Sequence, residues 1–256
     1  MNRITKSFEN KKALIAFITG GDPDIETTEK LILAMEEAGA DIVEIGIPFS
    51  DPVAEGPVIQ EADARSLSGG CTVDKLFDMV KKLREKTNMP LLFMTYANPV
   101  YAYGKERFTA KCRECGIDGI IVPDVPFEEK DEFEGECNKN GIALISLIAP
   151  TSGDRAEKIA RESKGFLYCV SSLGVTGTRG EIKTNIAELI SDVKKASDVP
   201  CAVGFGISTP EQARDMAAVS DGVIVGSAIV SLIAEFGKDS VEPVRNFVKE
   251  LKAALC

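Results

Sequence analysis

One carboxylate set inside an apolar strand is the first hint of chemistry in this sequence. In the run Ile42–Ile47, Glu44 stands between Val43 and Ile45. Leaving a charge in such surroundings is costly. An acid placed there either has structural partners or has its pKa raised by burial toward the range useful for proton transfer. The second reading is the expectation here, with Glu44 pointing into the interior. The segment that follows, Pro48-Phe49-Ser50-Asp51-Pro52-Val53-Ala54-Glu55-Gly56-Pro57, adds two more carboxylates among three prolines and a glycine. The prolines restrict the backbone and so can fix where Asp51 and Glu55 point. A solvated surface loop is the plainer alternative.

Two glycine-containing strand ends form a second constellation. Gly204-Phe205-Gly206 and Gly226-Ser227 each follow an apolar run, and the second leads straight into a helical pattern. Glycines let backbone N–H groups approach an anion closely, and a helix start adds its positive end. A phosphate group is therefore the expected ligand, against the alternative of packing glycines. A third element, Ser171–Gly180, is polar and glycine-rich without proline, a composition that suits a closing lid as well as an ordinary surface loop.

Composition narrows the chemistry. Histidine is absent, which excludes histidine bases, serine–histidine catalysis and histidine-ligated metals. Acid–base work falls to carboxylates, tyrosine, lysine or cysteine. The seven cysteines are odd in number and scattered, unlike a disulfide framework. Cys112 and Cys115 have CxxC spacing but no second ligand pair, and read as small apolar residues closing a helix. The net charge of −10 argues against nucleic acid and anionic membrane partners. No apolar run is long enough for a transmembrane helix, and Met1–Lys12 lacks the apolar stretch of a secretory signal. The expected location is the cytoplasm, with the thiols reduced.

These groups need a scaffold, and the chain repeats one unit. Apolar runs at Ala13–Thr19, Ile42–Ile47, Leu91–Tyr96, Gly119–Pro123, Ala143–Ile148, Gly165–Val170, Cys201–Phe205 and Gly222–Val225 read as strands buried on both faces. Between them lie helical patterns at Thr27–Ala38, Val73–Lys86, Lys105–Cys115, Glu128–Asn140, Asp154–Ser163, Thr184–Ala196 and Pro210–Ala218. Asp24 or Thr27 and Thr209-Pro210 supply helix starts, and Gly39, Gly116 and Gly141 supply helix exits. Eight such units in 256 residues predict an α/β fold: a single-domain (β/α)8 TIM barrel over residues 1–256, with a short helix at Ile4–Glu9 closing its bottom. A doubly wound sheet is the alternative, but Gly20-Gly21-Asp22-Pro23 lacks the G-x-G-x-x-G spacing. In a barrel the working groups sit at the C-terminal strand ends, and the loops after strands seven and eight cradle phosphate.

Five segments then carry a resemblance. VEIGIPFSDPVAEGPVIQ (residues 43–60), LLFMTYANPVYAYG (91–104), GIIVPDVPFEE (119–129), LGVTGTRG (173–180) and GFGISTPEQ (204–212) occur in family order. They resemble the tryptophan synthase alpha subunit family, over a stretch from about Ala16 to Ala228. The resemblance implies retro-aldol cleavage of indole-3-glycerol phosphate to indole and glyceraldehyde 3-phosphate. Glu44 is implied as general acid/base at the breaking carbon–carbon bond, with Glu55 facing the indole nitrogen. It further implies that Phe17, Tyr96 and Ile121 line the indole pocket and that Tyr168 approaches the substrate near Glu44. Thr176 and Gly177 would close over it, Gly204, Gly206, Gly226 and Ser227 would hold the phosphate, and Phe205 would pack against the substrate. No metal or cofactor is implied in this chain. The expected partner is a beta subunit carrying pyridoxal phosphate, in an α2β2 complex met by Pro48, Asp51, Pro52 and Asn98. The sequence departs from the family at Glu55, where aspartate is usual.

Three other readings compete. A Schiff-base aldolase needs a lysine at a strand end, and Lys164 and Lys183 are poorly placed. A metal-dependent lyase would use Glu44, Asp51 and Asp124. A regulatory alpha-like subunit, a binding module with weak catalysis or none, would share the same motifs; a freestanding indole-releasing lyase is a variant of the first reading.

Overall fold

The computed structural model describes residues 3–170, 179–204 and 206–255, with side chains in the second segment from 186 onward. Its elements run α1 (Arg3–Lys6), β1 (Ala13–Thr19), α2 (Ile25–Glu37), β2 (Ile42–Gly46), α3 (Pro57–Ser68), α4 (Val73–Leu83), β3 (Leu91–Met94), α5 (Ala97–Tyr103), α6 (Lys105–Cys115) and β4 (Gly119–Ile121). There follow α7 (Asp131–Asn140), β5 (Ala143–Ile148), α8 (Arg155–Glu162), β6 (Leu167–Val170), α9 (Arg179–Ala196), β7 (Cys201–Gly204), α10 (Pro210–Ala217), β8 (Gly222–Val225), α11 (Ser227–Phe236) and α12 (Val241–Ala254). The strands are parallel and close in sequence order, β1 through β8 and back to β1. The structure thus bears out the expected TIM barrel.

Every residue of β1, β2, β7 and β8 is buried, which accounts for the unbroken apolar runs: side chains alternate between two dry faces. Leu14, Ala16, Val43, Ile45, Leu91 and Phe93 belong to the layer between strands and helices. Ile15, Ile42, Leu92, Ile121, Phe166, Ala202 and Ile224 fill the barrel, with Ile4 of α1 among them as a bottom plug. The plugging helix expected at Ile4–Glu9 is therefore present, but begins at Arg3 and is one turn long. Acids just before the strands pin the N-terminal end. Asp41 accepts from Leu14 N, Asp118 from Leu91 N and Asp221 from Cys201 N, at 2.8–3.0 Å. Salt bridges to Lys252 and Arg84 neutralise the first two.

Several boundaries differ from the sequence expectation. The third strand stops at Met94 because Tyr96 becomes the N-cap of α5, a helix that Asn98-Pro99 disguises as a turn. The sixth begins at Leu167 because Gly165 sits at φ 74°. Helix α3 lies within residues read as loop and beyond. Asp24 is the cap of α2, accepting from Thr27 N at 2.7 Å. Cys112 and Cys115 are buried on α6, as expected of apolar closers.

Candidate active site

The alternation that puts Ile42 inside the barrel puts Glu44 inside too, one layer nearer the C-terminal mouth. Its register neighbours are Phe17 and Leu92. Glu44 is fully buried and, among the described residues, neither carboxylate oxygen has a hydrogen-bond partner. Desolvation, with the charge of Glu55 as a second cause, pushes its carboxyl up to about 8. At neutral pH it therefore keeps its proton, as a proton donor must.

In the next inward layer, Thr19, Gly46, Met94 and Ile121 stand in register. Small residues leave this level open. A Cβ on Gly46 would lie 2.7 Å from the Phe17 ring, one on Gly204 would lie 2.6 Å from Tyr168 Oη, and one on Gly226 would lie 3.3 Å from Phe17. The aromatic walls from Phe17 and Tyr168 thus occupy space that the glycines vacate. Burial and the charges of Glu44 and Glu55 raise the Tyr168 phenol far above its ordinary range, so it stays protonated beside them.

Glu55 reaches the mouth from the loop between β2 and α3. A turn closed by Glu55 N to Pro52 O (3.1 Å) presents it, and α3 starts two residues later with Pro57 at its first position. Tyr96 supports it: its hydroxyl accepts from Ala54 N at 3.1 Å and donates toward Glu55 Oε1 at 3.5 Å. Burial pushes the Glu55 carboxyl up to about 7, while the Tyr96 hydrogen bond pulls the other way. The glutamate therefore still meets Glu44 within electrostatic reach despite its extra methylene.

The two helix starts after β7 and β8 differ. The start of α10 is closed by its own capping box, Thr209 accepting from Gln212 N while Gln212 accepts from Ser208 N and Thr209 N. The start of α11 carries no side-chain cap. Its first N–H groups, at Ser227 to Ile229, precede the first intrahelical bond, Val230 N to Gly226 O. Gly206, at φ 78°, faces open space, and Ser227 is exposed. An anion at the mouth would meet uncapped amides at α11 and not at α10.

Other expected residues fall as follows. Phe17, Tyr96 and Ile121 are buried. Thr176, Gly177 and Phe205 lie outside the described residues, as does most of the expected lid. Asp51 and Asn98 are exposed, whereas Pro48 and Pro52 are buried beneath the segment they shape. Asp124 accepts from Ala97 N at 3.0 Å and so serves α5. A separate cavity of about 200 Å³ between the 122–130 segment and the β5–α8 region contains neither Glu44 nor Glu55.

Two residues at the mouth went unread in the sequence. Met94 faces inward in the layer of Gly46. Asp63 is buried on α3 together with Ile59, Ala62 and Ser66. An acid on the i, i+3, i+4 buried face of a helix is a legible signal, but only once Pro57–Ser68 is recognised as a helix.

Residues 4–255 match the family model "Tryptophan synthase alpha chain". The tryptophan synthase alpha chain of Thermoanaerobacter sp. (strain X514) is 48% identical over 262 residues, covering all of both chains. The chain belongs to the tryptophan synthase alpha chain family. That of Lacticaseibacillus casei is 46% identical over 255 residues, covering 100% of this chain and 96% of the relative. Among solved structures, tryptophan synthase subunit alpha from Legionella pneumophila str. Paris superimposes with a TM-score of 0.91 at 37% identity, covering 100% of this chain and 98% of the other. A chain of the tryptophan synthase complex from Pyrococcus furiosus gives 0.84 at 36% identity, covering 94% and 98%. Membership of the family makes this a lyase-type biosynthetic protein, and no described helix is long and apolar enough to cross a membrane.

Proposed function

We propose that this chain cleaves indole-3-glycerol phosphate by a retro-aldol reaction in which Glu44 carries the proton. The protonated Glu44 carboxyl donates to indole C3. The resulting carboxylate then takes the proton of the neighbouring side-chain hydroxyl, the carbon–carbon bond breaks, and its electron pair returns to the ring. The products are indole and glyceraldehyde 3-phosphate, and Glu44 ends as it began. Glu55, as a carboxylate opposite the ring N–H, stabilises the positive charge that develops there. Phe17, Tyr96, Ile121 and Tyr168 wall the indole, with Thr176, Gly177 and Phe205 closing the site. Gly204, Gly206, Gly226 and Ser227 hold the phosphate at the uncapped start of α11.

The observation that carries this reading is the fully buried, unpartnered Glu44 with its carboxyl near 8. A structural acid would be hydrogen-bonded; one awaiting a substrate would not. The test is incubation of purified protein with indole-3-glycerol phosphate, following free indole. Wild type should release it, and Glu44→Gln should be slower by at least about 100-fold. Equal rates would end the assignment.

The reading extends to a partner. The chain, taken as a single cytoplasmic domain without a cofactor of its own, passes indole to a tryptophan synthase beta subunit carrying pyridoxal phosphate, in an α2β2 assembly. The segment Pro48–Pro52 and Asn98 form part of the meeting surface, with Asp51 and Asn98 exposed for contact. Copurification with a beta subunit tests this, and a chain that turns over fully alone and binds none would be a freestanding lyase.

A further inference from the structure

Glu44 and Glu55 sit on different elements, and between the end of β2 at Gly46 and the start of α3 at Pro57 the chain runs through a loop. A second, hydrogen-bonded path joins the two acids. The turn after β1 is fixed to β2, because Gly20 N donates to Gly46 O at 2.8 Å, just beyond Glu44. That turn is held rigid by Gly21 N donating to Thr28 Oγ1 at 2.9 Å and Thr28 Oγ1 donating to Asp24 O at 2.8 Å. Asp22 lies in it, with a side chain wholly shielded from solvent. Its Oδ1 and Oδ2 accept from Arg65 Nε and Nη2 of α3 at 2.9 and 2.8 Å. Next to Arg65, Ser66 Oγ donates to Gly20 O at 2.7 Å. At the other end of α3, Gln60 Nε2 donates to Glu55 O at 2.8 Å. The path thus runs from β2 through the β1–α2 turn and along α3 to Glu55.

Between its two ends, α3 packs Ile59 and Ala62 with Phe17 and Val230. Apolar packing is non-directional. It holds a helix against the barrel without fixing its rotation or its position along its own axis. A guanidinium fork on a carboxylate fixes both, because two parallel bonds demand one plane and one distance. Such precision matters near a reacting centre, where a misplacement of about 1 Å can cost about 100-fold in rate. We propose that Asp22 and Arg65 are positioning residues: their two-point bond locks α3 to the turn after β1 and so sets where Glu55 stands relative to Glu44. The inference rests on the catalytic reading of Glu55 for its effect on turnover; the hold on the Glu55 segment is a property of the free protein.

The test variant is Arg65→Lys, which keeps a charge beside the buried carboxylate but loses the fork. Asp22→Asn, which removes the buried charge and keeps one acceptor, takes its place if the first does not fold. Amide hydrogen exchange by NMR on the full, ligand-free chain reads the Glu55 N–H, bonded to Pro52 O, and the Gln60 N–H, bonded to Gly56 O. Both should exchange about 10-fold faster or more in the variant, while the amides of β2 keep their wild-type rates. Indole-release kinetics in a double-mutant cycle with Glu55→Gln reads the consequence. In the wild-type background Arg65→Lys should lower kcat about 10-fold or more with KM little changed. In the Glu55→Gln background it should lower kcat less than about 2-fold, since a residue that acts through Glu55 has nothing left to position. Unchanged exchange at Glu55 and Gln60, or an increase shared equally by β2, overturns the proposal and leaves the pair a structural bond only. Where Glu55→Gln is itself slow, equal losses in both backgrounds overturn it too. If exchange rises locally but Glu55→Gln alone releases indole at the wild-type rate, the hold on the segment stands and the catalytic role of Glu55 falls.

Discussion

Gly204 and Tyr168 occupy one space: a single methyl carbon on Gly204 would sit 2.6 Å from the Tyr168 hydroxyl and 2.8 Å from its ring. The two residues lie on neighbouring strands β7 and β6 and both face the barrel interior. Gly204→Ala must therefore displace the phenol or bend β7. Overpacking of this kind costs about 1–3 kcal/mol. Because Tyr168 stands beside Glu44, kcat/KM should fall by about 10-fold or more. Thermal melting and indole-release kinetics check this, and a variant with wild-type values for both would show that the wall is soft.

Glu44 makes stability depend on pH in a definite direction. Its folded-state carboxyl, near 8, lies above the ordinary value of 4.5. The protonated form is the one the fold favours, so stability is fullest below about 4.5 and is lost as pH rises toward 8. The loss from this group is at most about 1.4 kcal/mol per pH unit. Glu44→Gln stays neutral throughout. The melting temperature of the variant minus that of wild type should therefore grow from pH 5 to pH 9, and a flat difference would contradict the burial argument.

Tyr96 tunes Glu55 in the opposite sense from burial. Its hydroxyl favours the charged carboxylate, so Tyr96→Phe should raise the Glu55 pKa above about 7. The acidic limb of the kcat/KM profile should then move to higher pH, with a loss at pH 6 larger than at pH 8. A uniform loss at every pH would mean that Tyr96 only packs. The same variant frees Ala54 N, so a modest loss of stability, about 1 kcal/mol, should accompany it.

The uncapped start of α11 predicts how phosphate is held. Ser227→Asp places a negative charge at the first helical position, where it satisfies the helix and repels an anion. The variant should fold at least as stably as wild type, with KM for indole-3-glycerol phosphate raised about 10-fold or more and kcat changed less. Protection from thermal unfolding by inorganic phosphate should weaken in parallel. An unaltered KM would move the phosphate elsewhere.

The strands at Ala13–Thr19 and Gly222–Val225 and the exit at Gly116 were legible to the residue. Burial on both faces leaves an unmistakable apolar run, and a left-handed exit selects glycine. Helix α3 was illegible for the same kind of reason. Its buried face is Ile59, Ala62, Asp63 and Ser66; half of that face is polar, so the apolar period that marks a helix is broken.

What the amino-acid order determined by itself was the repeated strand–helix unit, the absence of histidine chemistry and the position of Glu44 within its strand, because each depends on local composition and a period of two. Only the closed barrel decided that Glu44 lies dry, without a hydrogen-bond partner among the described residues, and that the charge of Glu55 reaches it from the following loop. Both depend on side chains from several strands meeting in one interior, which exists once eight strands close.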